Sequence, residues 1–437
     1  MIFEAIESLP IARSLAQIAD RPDDVADVYL ERLEEVALVA EGDVRTVSSR
    51  IEQGLAVRLA RDGACWLAAR DGIDGDRFAS ALRQVARALP AARYTVPGLR
   101  VPKPHRAVPA PELAGFAREV QAALQARHVA FPLRVEVRRH RRHLQVIGTR
   151  LVPRAEREEF YSCRLTTPWG AWGTVLATLD ETVARGVGAS LVHGFRGSRA
   201  ESPGRRKRSV VLGPAATAVL LHEAVAHALE ADTLLAGGSP EAAVGVSLGG
   251  PEINVLDDPA RAPRPVARAT DDEGTPVSRR WLVREGTVRQ PLADLGTARG
   301  SRVLEPGAGR RSGRHQPPVP RSTHLELLPG ERSTSSLLEE CDRGLWLPEA
   351  TNGSLDPLTG VFRMALPYGR VISGAEAGDY VGRMEIRGHV TEILERVRGI
   401  GRTAESAGAG WCAKGGQKMP VWATTPAIAL EGVEVGS

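Results

Sequence analysis

The first part of the chain alternates apolar and polar residues at the period of a β-strand. The alternation covers Ala26–Glu34, Asp43–Ile51 and Leu55–Leu59 and predicts a strand at each of them. Asp62-Gly63, a typical hairpin-turn pair, separates the third strand from a further apolar run at Cys65–Ala69. The pattern therefore predicts a strand-rich beginning that contains a hairpin.

Two amphipathic helices and a proline-rich segment follow. The apolar residues of each helix recur three or four positions apart, which places them on one face. They are Phe78, Leu82, Val85 and Leu89 in the first helix and Leu113, Phe116, Val120 and Leu124 in the second. Six prolines between residues 90 and 111 predict an extended linker that joins the two helices.

The rest of the N-terminal half mixes strands with one helix. Strand patterns occur at Leu133–Val137, Leu144–Gly148 and Phe160–Leu165. A helical stretch lies near Asp180–Leu191, and the polar, basic and glycine-bearing residues 196–209 predict an exposed loop. We place the domain boundary at that loop, so that residues 1–195 form a mixed α/β N-terminal domain.

Beyond residue 196, short apolar stretches alternate with Gly, Pro, Asp and Asn, which is typical of antiparallel strands. The exception is one strongly helical segment, Pro214–Leu234, whose proline suits the first turn of a helix. Shorter helices are predicted near Ser335–Cys341 and Val390–Val397. The fold class is thus α+β, with a mostly antiparallel β C-terminal domain over residues 196–437 that carries the long helix.

Composition excludes several classes of protein. Of the 437 residues, 43% are apolar and 25% are charged, which fits a globular protein with a substantial core. No apolar run approaches the roughly 18–20 residues of a membrane span. The acidic residues that follow Met1 do not fit a signal peptide, and four scattered cysteines do not form a disulfide framework. We therefore expect a cytoplasmic protein without a membrane partner.

The charge balance gives weak support to a nucleic-acid partner. The net charge is +4, and the basic residues are 53 arginines and four lysines, a skew typical of GC-rich coding. Three basic runs offer candidate surfaces, namely Arg138–Arg142, Arg205–Arg208 and Arg310–Arg314. Such runs are usually solvated loops or strand faces, and no aromatic residues alternate with these. Nucleic-acid binding is the minority interpretation.

The most informative segment lies inside the long helix. In LLHEAVAHALEAD, the residues His222, Glu223 and His227 form an HExxxH pattern. Imidazole nitrogens bind divalent transition metals, and a neighbouring carboxylate can act as a general base. Residues five apart lie about 140° apart around a regular α-helix, so the two rings would not reach one ion. A π-bulge restores the alignment, and we predict one within His222–His227.

On spacing alone the pattern fits either a metal site or a buried helix whose histidines lie close together by chance. Glu230, one turn beyond His227, either orients that ring or is an ordinary surface carboxylate. A metal site needs a third ligand, and Cys412 lies in the glycine-rich turn GWCAKGGQKMP, where a thiolate can be presented. The other three cysteines lie in strand or helix contexts typical of small core residues.

The helix resembles the signature helix of the TldD/PmbA metallopeptidase family, on its catalytic, TldD-like side. The resemblance extends through most of the chain and is strongest in the C-terminal half. The further C-terminal blocks are Ala269–Val277, Pro320–Ser333, Gly344–Met364 and Trp411–Gly436. Looser agreement covers Asp27–Glu35 and Gly54–Gly63.

The resemblance implies a metal-dependent peptidase that hydrolyses extended, unstructured peptides or precursor peptides. It implies that His222, His227 and Cys412 bind one divalent transition metal, with Zn²⁺ as the default and Fe²⁺ as the alternative. It gives Glu223 the role of general base toward a metal-activated water. It also implies that the peptide substrate binds by strand pairing and that the chain forms a homodimer or a heterodimer with a PmbA-like paralogue.

The chain departs from the family pattern at three positions. Ala226 and Ala228 replace glycines usual on either side of the second histidine, which bears on the predicted bulge. His324 replaces a usual asparagine and either tunes the pocket or faces solvent. The alternative function is a non-catalytic partner or scaffold subunit that keeps a structural metal, which a fourth protein ligand such as Glu230 would favour.

Overall fold

The chain is described by a computed structural model over residues 10–89, 110–148, 154–236, 240–263 and 266–437. Within these ranges two β-sheets dominate, one of six strands and one of thirteen, beside a separate two-stranded pair. Helices accompany both sheets, so the fold is α+β as predicted. The predicted linker at residues 90–111 lies outside the described residues, except for its last two positions.

The N-terminal sheet consists of long antiparallel strands. They are β1 (Val25–Glu41), β2 (Val44–Arg61), β3 (Ala64–Asp71), β4 (Arg134–Gly148), β5 (Arg154–Thr167) and β6 (Gly170–Leu176). Their order across the sheet is β3-β2-β1-β4-β5-β6. The predicted hairpin between β2 and β3 is confirmed, and its turn residues Asp62 and Gly63 both adopt positive φ.

Helices cover one face of this sheet. They are α1 (Ile11–Leu15), α2 (Gly75–Ala88), α3 (Pro111–Gln125) and α4 (Glu181–Ser198). Even-numbered apolar residues of β1, such as Val28 and Leu38, belong to the two apolar clusters that include these helices. Odd-numbered residues such as Tyr29 and Glu31 lie on the opposite face and contact Arg311 and Arg314 of the C-terminal half.

Strand β4 runs unbroken through the basic run Arg138–Arg142, where the sequence predicted two separate short strands. Both faces of β4 carry charged residues here, so the apolar alternation that marks a strand is absent. Carboxylates on the neighbouring strands pair with these arginines, for example Glu35 with Arg138 and Glu159 with Arg141. Hydrogen-bonded partners on both sides therefore hold a strand whose sequence looks like a loop.

The larger sheet is mostly antiparallel. Its strands are β7 (Arg206–Leu212), β8 (Val255–Asp257), β9 (Arg280–Arg284), β10 (Thr287–Val288), β13 (His324–Leu327), β14 (Leu345–Leu347), β15 (Asn352–Asp356), β16 (Val361–Leu366), β17 (Gly369–Ser373), β18 (Glu376–Val381), β19 (Met384–His389), β20 (Val397–Lys414) and β21 (Gln417–Gly436). The separate pair is β11 (Gly309–Arg310) with β12 (Val319–Pro320). Strand β21 pairs with β7, β13, β19 and β20, so it joins the branches of this sheet.

The segment predicted as one helix over Pro214–Leu234 is broken, which corrects that prediction. Its pieces are α5 (Pro214–Leu221), a π-turn (His222–Ala226), a 3-10 turn (His227–Leu229) and α6 (Ala231–Ala236). Glu230 has an extended backbone, and Leu292 exchanges backbone hydrogen bonds with the residues on either side of it. A distant segment thus ends the helix soon after its second histidine.

The loop predicted over residues 196–209 is shorter than expected. Helix α4 continues to Ser198, and β7 begins at Arg206, where it pairs with β21 and β14. The basic residues of β7 conceal the strand because they interrupt the apolar pattern. The division into domains 1–195 and 196–437 stays a prediction.

The two short helices predicted in the C-terminal half have different outcomes. The helix near Ser335–Cys341 is confirmed as α7 (Thr334–Glu340), which Ser333 caps by accepting from the backbone of Ser336. The helix near Val390–Val397 is wrong, because this stretch forms turns with one 3-10 turn at Leu394–Arg396. Further 3-10 turns lie at Pro240–Ala243 and Pro259–Arg261. No helix within the described ranges is long and apolar enough to cross a membrane.

A buried ionic network joins the N-terminal sheet to the C-terminal half. Arg142 of β4 donates to Glu31 and to the backbone oxygen of Arg311, each at 2.9 Å, and lies 3.6 Å from Asp272. Arg268 donates to the same aspartate at 2.8 Å. All five side chains are buried. Charge pairs therefore help to hold the N-terminal sheet against the C-terminal half.

Candidate metal centre

The two histidines of the HExxxH pattern face the same side because of the π-turn. The backbone N–H of His227 donates to the carbonyl of His222, which is a bond between residues five apart. The two ring centroids consequently lie 4.5 Å apart. The predicted π-bulge is therefore confirmed, and it forms with Ala226 and Ala228 in place of glycines. Ala226 is fully buried and has ordinary helical backbone angles, so it needs no glycine.

Cys412 completes a group of three possible metal ligands. One side-chain atom from each of His222, His227 and Cys412 lies within 4.8 Å of the others. Sγ of Cys412 is 3.4 Å from Nε2 of His227. Sulfur and nitrogen ligands of a tetrahedral zinc ion lie roughly 3.5 Å apart. The structure thus brings the three predicted ligands together, and their role as ligands stays a prediction.

The surroundings of His222 indicate whether the site fits a metal ion. It is 5% exposed, and neither ring nitrogen has a hydrogen-bond partner in the described part of the chain. Buried polar atoms are nearly always paired. Burial, together with His227 and Arg321, holds the pKa of His222 well below its ordinary value. Two imidazoles and a thiol are a donor set that divalent transition metals prefer, so the residues fit such an ion.

The β20–β21 hairpin presents Cys412. The two-residue turn Gly415-Gly416 has positive φ at both positions, which closes a tight hairpin. Arg321 is fully buried and donates to the carbonyl oxygens of Cys412 at 3.1 Å, Gln417 at 3.0 Å and Lys414 at 2.6 Å. One guanidinium therefore fixes the backbone on both sides of the turn.

The other ring nitrogen of His227 faces Glu230. Nδ1 is 2.9 Å from Oε2 of Glu230, whose side chain is buried. Burial alone would raise the pKa of Glu230, but His227 and Lys414 outweigh burial and hold the pKa below its ordinary value. The sequence left two interpretations of Glu230 open, and this contact favours the one in which it orients His227. Glu230 lies behind the ring, opposite Cys412, rather than among the ligand atoms.

Glu223 lies beside the first histidine and is buried. Burial raises its pKa to about 7, while the charge of His227 opposes the shift and that of Glu230 adds to it. A carboxyl group with a pKa near neutrality both accepts and returns a proton readily. This property fits the role of general base that the sequence predicted for Glu223.

The centre opens into a cavity of about 1690 Å³ between the N-terminal sheet and the C-terminal half. The metal-centre residues and β15 line one side, and Arg138, Phe160 and Trp172 line the other. Strand β15 pairs with β16 along one edge, and its other edge has no strand partner within the described ranges. The cavity exceeds the roughly 300–1,000 Å³ of a site for a drug-sized molecule.

Sequence reasoning did not single out Arg321 or Lys414. Arg321 is one of 53 arginines, and nothing in its neighbourhood along the chain marks it as buried. Lys414 had a usable signal, because lysine occurs at four positions in a chain that otherwise uses arginine. Both contacts depend on how residues far apart in sequence come together in the sheet.

The departure at His324 lies at neither the cavity wall nor the surface. The residue is 2% exposed and lies outside the cavity lining. Its Nε2 is 2.9 Å from Oγ1 of Thr424, and its backbone N–H donates to Asp257 at 2.8 Å. The interpretation in which His324 faces solvent is therefore wrong, since it is a buried, hydrogen-bonded residue between neighbouring strands. An effect of this residue on the pocket stays a prediction.

The basic runs mostly serve the fold. In Arg310–Arg314 all three arginines are buried, and they contact carboxylates that include Glu31 and Asp272. The arginines of Arg138–Arg142 each pair with a carboxylate. In Arg205–Arg208 the first arginine pairs with Glu434. These pairings give the arginines concerned a structural role.

Fold and site together define a class: a strand-rich α+β protein with a candidate His/His/Cys metal centre in its C-terminal half. Residues 205–437 match the family model described as the PmbA/TldA metallopeptidase C-terminal domain. The chain belongs to this family, as its sequence resemblance indicated. It is therefore a member of a family of metallopeptidases.

Individual relatives agree with this assignment. A protein of Methanothermobacter thermautotrophicus named metalloprotease is 30% identical over 239 residues, which are 54% of this chain and 52% of that protein. A metalloprotease TldD homolog of Haemophilus influenzae is 29% identical over 234 residues, which are 52% of this chain and 48% of that protein. The chain thus spans about half the length of the curated relatives that it matches.

A solved structure extends the similarity in fold to the N-terminal half. TldE from Thermococcus kodakarensis superposes with a TM-score of 0.74 at 17% sequence identity, over 97% of this chain and 99% of that one. At this identity the similarity shows that the fold is shared.

Proposed function

We propose that the chain is a metal-dependent peptidase that hydrolyses extended, unstructured peptides or precursor peptides. The observation that supports this most is the juxtaposition at the cavity wall. The three possible ligand atoms of His222, His227 and Cys412 lie within 4.8 Å of one another, and Glu223 lines the same cavity beside them. Family membership supports the same reaction class.

In this proposal each residue has a defined part. His222, His227 and Cys412 hold the ion, which when bound supplies Lewis acidity toward a carbonyl oxygen and a water molecule. Glu223 accepts the proton of the attacking water at its carboxylate and returns it to the leaving amine. Glu223 is buried at the cavity wall, beside the proposed ligand His222.

The open edge of β15 supports the choice of an extended peptide as substrate. An added strand satisfies its own backbone hydrogen bonds against such an edge, so the peptide needs no particular side chain for register. Asn352, Gly353, Ser354 and Leu355 line the cavity together with Glu223. A peptide paired with this edge would therefore run past the general base.

Finer points stay predictions. They are Zn²⁺ rather than Fe²⁺, a dimer with a second copy or a PmbA-like paralogue, a cytoplasmic location, and a domain boundary at residue 196. None of them alters the assignment of roles at the metal centre.

Metal content tests the site first. We expect about one transition metal per chain by mass spectrometry of the purified wild type and loss of that metal in His227→Ala and Cys412→Ala. Hydrolysis of an unfolded peptide follows, with Glu223→Gln as the matched control that keeps the ligands. We expect Glu223→Gln to retain the metal and lose hydrolysis.

Two results would redirect the proposal. A wild type that binds no metal in metal-replete buffer would contradict the metal centre. A wild type that binds metal and hydrolyses no peptide, alone or with a PmbA-like protein, would favour the non-catalytic partner or scaffold subunit instead.

A further inference from the structure

Lys414 lies at the end of β20, on the same hairpin as Cys412. Its Nζ donates to Oε2 of Glu230 at 2.8 Å, to Oδ1 of Asp232 at 2.6 Å and to the carbonyl oxygen of Pro320 at 3.1 Å. All three hydrogens of the ammonium group therefore have an acceptor. The side chain is 18% exposed, so water competes little with these contacts.

These contacts connect the hairpin that carries Cys412 to the ring of His227, and both residues are possible ligands. Oε2 of Glu230 accepts from Lys414 and also faces Nδ1 of His227 at 2.9 Å. The opposite nitrogen of that ring, Nε2, faces Sγ of Cys412 at 3.4 Å. The hairpin thus supplies one ligand directly and, through Lys414 and Glu230, fixes the ring that supplies another.

The side-chain type fits this position. In a chain with 53 arginines and four lysines, this site carries a lysine. A compact ammonium group directs three donors to three converging acceptors, whereas the planar guanidinium of arginine suits paired oxygens in one plane. Glu230 also depends on this cation, because its carboxylate is 1% exposed and a buried charge is costly without a partner.

We propose that Lys414 is a positioning residue of the metal centre, which acts through Glu230 to hold the His227 ring toward Cys412. The inference rests on the proposed metal site and concerns how tightly that site binds its ion. Partners behind a metal-binding histidine typically change metal affinity 10–100-fold. The effect of Lys414 therefore appears in metal affinity even when no peptide is present.

The test is a competition titration of the full-length chain with Zn²⁺ and a chromogenic chelator. We expect Lys414→Met to raise the dissociation constant for Zn²⁺ 10–100-fold. Lys418→Met is the matched control, because Lys418 lies on the opposite strand of the same hairpin and its ammonium group contacts Trp411 instead. We expect the control to bind Zn²⁺ as the wild type does.

A double-variant cycle separates positioning from a general loss of structure. If Lys414 acts through Glu230, Lys414→Met combined with Glu230→Gln loses no more affinity than the weaker-binding single variant. The visible spectrum with Co²⁺ should also change in Lys414→Met, since it reports the arrangement of the ligands. Only variants whose far-UV circular dichroism spectrum matches that of the wild type are compared. If Lys414→Met does not fold, Lys414→Gln is titrated in its place.

The outcomes distinguish this inference from the proposed function. Wild-type Zn²⁺ affinity and a wild-type Co²⁺ spectrum in the folded Lys414 variant would overturn the positioning role and leave the metal centre intact. Additive losses in the double variant would show that Lys414 acts by another route. A wild type that binds neither ion would instead remove the metal centre on which both proposals depend.

Discussion

The Cβ atom that Gly353 lacks would lie 2.3 Å from Cγ of Glu223 and 2.7 Å from its Oε1. Real side chains do not approach so closely, so the backbone of β15 reaches Glu223, the proposed general base, because residue 353 is a glycine. Glycine at this position leaves room for the side chain of Glu223, and it does not serve to form a turn.

Gly353→Ala should therefore displace Glu223 without touching the possible ligands. A misplacement of about 1 Å typically costs on the order of 100-fold in rate. We expect that loss in kcat/KM for an unfolded peptide, with metal content unchanged. Gly186→Ala is the control, since a Cβ there has nothing within 4 Å although the residue also lines the cavity. Wild-type hydrolysis by Gly353→Ala would contradict the close approach.

Arg321→Met should loosen the hairpin that carries Cys412. The methionine fills similar volume but leaves the carbonyl oxygens of Cys412, Lys414 and Gln417 without this donor. Leaving buried acceptors unpaired costs about 1–3 kcal/mol each. We expect a lower midpoint of thermal unfolding together with weaker metal binding. An unchanged midpoint would show that other donors replace the guanidinium.

Arg142→Ala should destabilise the protein far more than Arg141→Ala, although the two residues are neighbours on β4. Arg142 is buried against Glu31, Glu158 and Asp272. Its loss leaves these buried carboxylates without their cation, which lowers the free energy of unfolding by about 3–5 kcal/mol. Arg141 pairs with Glu159 near the surface, where such a pair contributes about 1 kcal/mol or less. Urea unfolding of both variants measures the difference, and equal losses would contradict the buried network.

Asp272 should make stability sensitive to acid. Burial alone would raise its pKa, but Arg142 and Arg268 outweigh burial and hold the pKa well below its ordinary value. A lowered carboxyl pKa contributes stability above about pH 4, the unfolded value, and that contribution is lost as pH falls toward the folded value. The difference in unfolding free energy between wild type and Asp272→Asn should therefore shrink from pH 6 to pH 2. A constant difference would show that the charge of Asp272 contributes nothing.

The sequence predicted which residues come together at the candidate metal centre better than it predicted their surroundings. The spacing of His222 and His227 conflicts with a regular helix, and that local conflict sufficed to predict the π-turn. Cys412 had local support in its glycine-rich turn, and the family resemblance made it the predicted third ligand. Lys414 and Glu230 lie 184 residues apart, and no periodicity along either segment reveals their contact.

The strands were predictable where one face is apolar and the other polar. Val28 and Leu30 mark β1 in this way. Arg138–Arg142 and Arg206–Arg208 do not, because charged residues fill positions whose partners lie on neighbouring strands or in the other half of the chain. The break at Glu230 was equally hidden, since Leu292 causes it from outside the helix.

The separation of 185 residues between His227 and Cys412 also sets an order of events during synthesis. At roughly 5–20 residues per second, a ribosome needs about 10–40 s to pass from the helix to the hairpin. During that interval the two histidines have been synthesised and Cys412 has not. Strand β7 likewise lacks β21, its neighbour in the folded sheet. A nascent chain therefore cannot bring the three predicted ligands together before the β20–β21 hairpin has been synthesised.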